Sequence, residues 1–585
     1  MLLRPAAARS LIGIGGFAAA YAGLAMMITN SYYQSVLALV AVWAILALGW
    51  NIISGYGGLV SFGHAAFFGL GAYVVGLGFV RFAIPPSLGL GLAAITGAGA
   101  GALIGVITLR LRGHYFALAM LAYPLAFLDL MNWLGFQEIV LPLGQRSTPL
   151  ALHFTDPRAE TLVVLCFLVG ALLVSWTIEH SRMGLALAAI REDESAAEVA
   201  GINVRAVKLR ALTISGAIAA VAGGIYAIVL VVVTPAGVFG VNVSAQALVL
   251  TLFGGTATLW GPVIGAVVLV PLATLLNGFF GSILPGLQGI LFGIAIVAVM
   301  LGAPEGLFWL VRDRFWRRVE TVARPVAAAA SPFRAGPRAG ASVAPLLEIH
   351  GLAKSFGGVR AIAEVSLSIE PGELVGIIGP NGAGKTTLFD LLSGVVRPDA
   401  GTVRCGGTIA TGLRPNQICR LGIGRTFQTP RAFARLSVLD NVVVGALSTS
   451  ENDAEAMRRG WSALERTGLT AVAGMLAGDL VMRDLRLMEI ARALAADPVV
   501  MLMDEPLAGL GGPEVAILLD VLQAINGSGI AICIIDHTIH AMAGLVSRFI
   551  VLDRGARISA GTPHAVMQDP VVIEAYLGRR HRVPA

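Results

Sequence analysis

Gly379-Pro-Asn-Gly-Ala-Gly-Lys-Thr386 has the residue types and spacing that cradle phosphate. Gly379, Gly382 and Gly384 let the chain turn tightly and aim backbone N–H groups at one anion, with Pro380, Asn381 and Ala383 filling the turn. A helix opening just after the loop, through Thr387, adds the positive end of its dipole. Lys385 is placed to reach the β- and γ-phosphates, and the Thr386 hydroxyl to bind Mg²⁺. The context fits, because Leu374–Ile378 reads as a short buried strand and Thr387-Leu-Phe-Asp-Leu-Leu392 as a helix start. A second apolar run, Val499–Met503, leads into Asp504-Glu505-Pro506. There Asp504 is expected to hold Mg²⁺ through water and Glu505 to polarise an attacking water; the plainer alternative is an acidic pair that caps a helix. A third run, Ile530–Ile535, ends at Asp536-His537. ATP and Mg²⁺ are the cofactors this set implies.

The rest of the chain is built differently. Of 585 residues, 56% are hydrophobic and only 13% charged, and no Asp or Glu precedes Asp129. A helix needs about 20 apolar residues to cross a bilayer. Candidate spans are 11–29, 34–52, 58–80, 86–109, 115–134, 161–178, 210–232, 244–258, 260–277 and 284–302. Arg4 and Arg9 place the first start in the cytoplasm, and that first run is too long for a signal-peptide core. The middle spans are interrupted by Gly254-Gly255 and Gly261-Pro262, which is tolerated at membrane depth only where protein or water surrounds the break. About ten spans satisfy the parity that a cytoplasmic C-terminal half requires, as would eight with a re-entrant pair. The net charge of +6 comes largely from arginines in short loops beside the spans, so lipid rather than nucleic acid is the expected surrounding. Cys166, Cys405, Cys419 and Cys533 are scattered without metal-ligand spacing. His64 lies among small residues, where a structural hydrogen bond is the expected role, and Asp129 lies near the outer end of its helix.

The domain boundaries follow from these shifts: a membrane domain over 1–310, a basic flank and linker over 311–345, and an ATP-binding domain over 346–585. The linker, rich in Pro, Gly and Ala, would span roughly 25–30 Å. Between Ser181 and Arg210 lies the most charged stretch of the membrane half, including Arg191-Glu-Asp-Glu194 and Ala196-Ala-Glu-Val-Ala-Gly201. It has room for short helices with one apolar face.

Several stretches resemble one known family. Gly57–Tyr73, Leu111–Met120, Ala189–Glu194 and Gly254–Ala266 are similar to the Liv-type branched-chain amino-acid permeases, and Gly422-Ile-Gly-Arg-Thr-Phe-Gln428, Leu439-Asp-Asn-Val-Val and Val572–Gly578 to the matching ATP-binding subunit. The resemblance implies a polytopic all-α membrane domain of about ten helices followed by an α/β P-loop ABC ATPase domain. It implies that 190–202 is a cytoplasmic coupling loop that docks on the ATPase. Phe356 would stack on adenine, Gln428 would link Mg²⁺ and the attacking water to that loop, and His537 would contact the γ-phosphate. Implied partners are a second Liv-type permease, a second Liv-type ATPase and a periplasmic solute-binding protein, in a bacterial inner membrane.

One departure stands out. Where the family has a Leu-Ser-x-Gly-Gln type signature, this chain has Leu480-Val-Met-Arg-Asp-Leu-Arg486. Val481 replaces the hydroxyl, Arg483 the small glycine and Asp484 the glutamine, and Gly511 stands where an acid or amide is expected. Such a segment meets ATP held by the other cassette of a dimer, so two unequal ATP sites are expected. The leading expectation is uptake of branched-chain amino acids or related solutes driven by ATP. Uptake of urea or short amides, an exporter half-transporter, and a non-hydrolysing regulatory subunit are the alternatives.

Overall fold

The computed structural model describes residues 5–111, 113–142, 152, 154, 156–280, scattered positions from 289 to 310, and 345–577. The linker, the tenth candidate span and the loop around 143–155 lie wholly or largely outside these. The chain forms two units, the first holding the membrane helices and the second Glu192–Val204 together with the described residues from 345 onward.

In the first unit, helices α1 (Pro5–Met27), α2 (Ser31–Trp50), α3 (His64–Phe82), α4 (Pro86–Thr108), α5 (His114–Trp133) and α6 (Pro157–Glu179) follow in order. After α7 (Arg182–Glu192) and α8 (Glu194–Val199) come α9 (Val204–Leu230), α10 (Pro235–Phe239), α11 (Val241–Gly254) and α12 (Gly261–Phe280). Eight helical segments among the described residues are long and apolar enough to cross a membrane. Three starts differ from the hydropathy reading by six residues or more, the third span beginning at His64 rather than 58 because the chain around Gly58 (φ 70°) lies outside the helix. The eighth span starts at Pro235, not near 244, because Thr234 caps α10 and only one extended residue, Gly240, separates it from α11. The seventh begins at Val204, since its first turns carry charged residues that hydropathy discounts.

α2 is enclosed by protein along most of its length and runs on as a π-helical turn, Asn51–Tyr56. The Asn51 amide stitches that turn to the break between α11 and α12, donating to Thr258 O (2.9 Å) and accepting from Ala257 N (2.9 Å). The break is thus held inside protein, as irregular backbone in lipid must be. α3 and α9 touch backbone to backbone: a Cβ at Gly71 would collide with Ala220 O, and one at Gly223 with Phe68 O. Lipid supplies no hydrophobic drive, so this small-residue contact carries the packing. His64 is fully buried at the same seam, its Nδ1 3.0 Å from Ser61 Oγ and its Nε2 2.7 Å from Ser215 Oγ.

The second unit has two sheets. β1 (Ile139–Val140) and β2 (Val232–Val233) form a small pair in the membrane unit. The antiparallel sheet of the second unit joins β3 (Leu347–Phe356), β4 (Val359–Ile369), β6 (Ala400–Cys405) and β7 (Thr408–Ile409) in the order β4-β3-β6-β7. The main sheet joins β5 (Leu374–Ile378), β8 (Ile423–Arg425), β9 (Val500–Asp504), β10 (Ala531–Ile535), β11 (Arg548–Asp553) and β12 (Ala556–Gly561) in the order β12-β11-β5-β10-β9-β8. All but β12 run parallel, and β5, β9 and β10 are buried at every residue, as apolar runs of five predict. Their adjacency puts the loops after β5, β9 and β10 side by side at one sheet edge, where ligands of open parallel sheets bind.

Candidate ATP-hydrolysing site

The loop after β5 adopts the conformation its glycines permit. Gly379, Gly382 and Gly384 have φ of 154°, 81° and 98°. The helix Lys385–Leu392 starts at once, with Thr386 and Thr387 in its first turn. Pro380, Asn381 and Ala383 complete the turn, which is pinned from outside by Gly555 N donating to Ala383 O at 3.0 Å. Lys385 Nζ donates to Gly379 O (2.7 Å) and Pro380 O (3.0 Å), so the ammonium sits across the cradle. Burial pulls its pKa down, opposed by the charges of Glu505 and Asp504.

At the end of β9, Asp504 is 1% exposed and its Oδ1 meets no hydrogen-bond partner. Burial raises its carboxyl to about 6, against the opposing charge of Arg425, whose Nη2 lies 3.9 Å from Oδ2. The buried Arg425 also pairs with Asp390 (2.7 Å) and donates to Ser393 Oγ (2.6 Å). Sequence reading missed Arg425. Its signal was a charged residue inside an otherwise apolar strand.

Glu505 takes a left-handed backbone conformation, φ 46°, and its N–H donates to Ile535 O at 2.7 Å. Non-glycine residues rarely adopt it, and here it turns the carboxylate out of the sheet edge. One carboxylate oxygen lies 3.0 Å from His537 Nε2 and the other accepts from Gln428 Nε2 at 3.0 Å. The structure thus brings Gln428, Glu505 and His537 together from three separate loops. Asp536 shapes the turn beneath His537, accepting from Thr538 N (2.9 Å) and from Leu507 N (3.0 Å). Phe356 stands apart at the end of β3, 48% exposed, with Lys354 Nζ 5.5 Å from its ring centre.

The orphaned Asp504 Oδ1 and the hydroxyl of Thr386 are hard oxygen donors, and the described residues contain no cluster of three His, Cys, Asp or Glu able to cage a metal. That donor set fits Mg²⁺ held partly by phosphate and water.

The departing segment forms a helix start. The helix Met482–Ala495 has Val481 at its N-cap, without a side-chain cap. Val481 is 61% exposed. Arg483 Nε and Nη2 both lie 2.8 Å from Asp484 Oδ1, so the two substitutions pair with each other. Arg486 turns inward, donating to Phe427 O (3.0 Å) and Ala508 O (3.5 Å).

A parallel-sheet cassette with this site, in one chain with a bundle of apolar helices, defines an ABC transporter subunit: a multi-pass membrane protein with a nucleotide-binding, ATP-hydrolysing domain. The family model for the branched-chain amino acid transport system permease component matches 32–300. The ABC transporter model matches 362–508, and that of the branched-chain amino acid ATP-binding cassette transporter 556–582. The chain belongs to the branched-chain amino-acid ABC transporter family, with a permease and an ATP-binding component in one polypeptide. The high-affinity branched-chain amino acid transport ATP-binding protein LivG of Escherichia coli K12 is 37% identical over 250 residues, 40% of this chain and 98% of LivG. BraF of Pseudomonas aeruginosa, described in the same terms, is 34% identical over 252 residues, 40% of this chain and 98% of BraF. The lipopolysaccharide export ATP-binding protein LptB of Acidithiobacillus ferridurans is 33% identical over 238 residues, 41% of this chain and 99% of LptB. A cassette related both to amino-acid transport proteins and to a lipopolysaccharide export protein does not name a solute; the permease match has to.

Proposed function

We propose that this chain couples ATP hydrolysis to uptake of branched-chain amino acids across a bacterial inner membrane, together with a second permease, a second ATPase and a periplasmic solute-binding protein. The observation that carries this reading is the permease match over 32–300 in one chain with the Gln428–Glu505–His537 cluster. The loop N–H groups and Lys385 bind the β- and γ-phosphates, and Phe356 stacks on the adenine. Thr386, Gln428 and Asp504, the last through water, would hold Mg²⁺, which would neutralise phosphate charge. Glu505 polarises the attacking water while Gln428 and His537 fix its carboxylate, and His537 senses the γ-phosphate.

The segment Glu192–Val204 supports the coupling role, because it folds as part of the ATPase unit. α8 starts from Asp193, which accepts from Ala196 N at 2.8 Å. Its apolar face (Ala196, Val199, Ala200) lies with Phe427 around one small cavity, a residue away from Gln428.

The two ATP sites of the dimer are unequal in this reading. The site on Lys385, Asp504 and Glu505 borrows an intact signature from the partner and hydrolyses ATP. The site completed by Leu480–Arg486 lacks the hydroxyl, and its helix start already carries Asp484, so it holds ATP and turns over poorly.

The deciding experiment is uptake of labelled leucine, with urea and a short amide in parallel, in cells with and without the gene. Loss of leucine uptake alone is expected. Loss of only urea or amide uptake overturns the solute assignment and keeps the architecture.

A further inference from the structure

Arg431 is held from three directions. Its N–H donates to Glu489 Oε1 (3.3 Å), and its carbonyl accepts from Arg492 Nη1 (2.8 Å). Glu489 and Arg492 are both buried and pair at 3.4 Å. The Arg431 guanidinium lies over the Phe427 ring at 4.5 Å. From this fixed base it reaches Asp193 Oδ2 at 3.3 Å. One turn of loop further on, Arg435 Nε lies 3.8 Å from Glu192 Oε1. Both pairs have the same polarity, acid on the coupling segment and arginine on the cassette.

An importer of this type contains two permeases and two cassettes, so each coupling segment must find the right cassette. Exposed ion pairs add little affinity. They discriminate strongly, because a wrong partner would set like charges together. We propose that Glu192 and Asp193 select this chain's own cassette by recognising Arg435 and Arg431, and that the clamped Arg431 passes this docking to the Gln428 loop. The cassette refused by this segment is one without the two arginines. The inference rests on the importer reading above.

The test uses the full chain, purified and in cells, with Asp193→Arg, Arg431→Asp and the double exchange. Hydrogen exchange at 427–433 is read first, since it does not depend on what is transported. Each single reversal is expected to lower protection there about tenfold, and the double exchange to restore it in part, since the double still lacks the Asp193 helix cap and the Arg431–Phe427 contact. Protection unchanged in the singles, or no better in the double, overturns the proposal. Glu192→Arg with Arg435→Glu gives an independent second pair, should the first reversals not fold. Uptake is read alongside, and should fall about tenfold in the singles and recover in part in the double. If protection behaves as expected but the wild-type chain imports nothing, the importer reading falls and the recognition stands.

Discussion

Asp504 shows how a single residue combines two demands. It must be buried to sit beside the phosphate loop, yet charged to serve a cation. Burial raises its carboxyl from 3.8 to about 6, so between those values the folded chain holds a proton that the unfolded chain has lost. Its contribution to stability is therefore fullest below about pH 4 and falls as pH rises through about 6, by up to about 3 kcal/mol. In the nucleotide-free full chain, hydrogen-exchange protection of β9 should decline across that window, and Asp504→Asn should flatten the decline. Protection independent of pH in the wild type would contradict this account. Lys385, Asp504 and Glu505 were legible in the sequence because their motifs are local, and His537 through the resemblance. Arg425 and the part played by Asp536 were not, since Asp390, Ser393, Asp504 and Leu507 reach them from other elements of the fold.

At the scale of elements, Glu192–Val204, the proposed coupling segment, is held to the rest of its unit by shape as well as charge. Gly201 has φ +95°, and a Cβ there would collide with the Ser448 side chain and come within 3.1 Å of Cys419 Sγ. Gly201→Ala would therefore meet both backbone strain and a clash, costing about 1–3 kcal/mol at the dock. Uptake should fall at least about tenfold while Mg-ATP affinity stays within about twofold. Uptake at the wild-type rate would show that this contact is not needed. In the sequence the stretch 181–210 resembled a coupling loop, and the fold shows which residues of the second unit Glu192–Val204 meets, Arg431, Arg435 and Ser448 among them. Among the described residues eight spans were legible from apolar length, and the eighth starts earlier than expected because Thr234 caps α10 and the single extended residue Gly240 separates it from α11.

For the whole molecule the unequal dimer makes the sharpest claim. If only the site built on Glu505 hydrolyses, Glu505→Gln in the assembled complex should leave less than about 10% of the ATPase rate. A residual rate near half of wild type would mean that both sites turn over. The Arg483–Asp484 pair favours the unequal form, because Asp484 offsets the charge with which Arg483 would meet the partner's phosphate and itself repels it.

By itself the sequence determined the two-part plan, the phosphate loop, the acidic pair and the family. The first three depend on local spacing and on apolar length, which read along the chain, and the family came through the resemblance of whole stretches. Tertiary structure decided that Gln428, Glu505 and His537 meet, that Asn51 stitches the helix break, and that Glu192–Val204 belongs with the ATPase. Each of these depends on strand order or helix packing between residues far apart in the chain, and no local pattern encodes such distances.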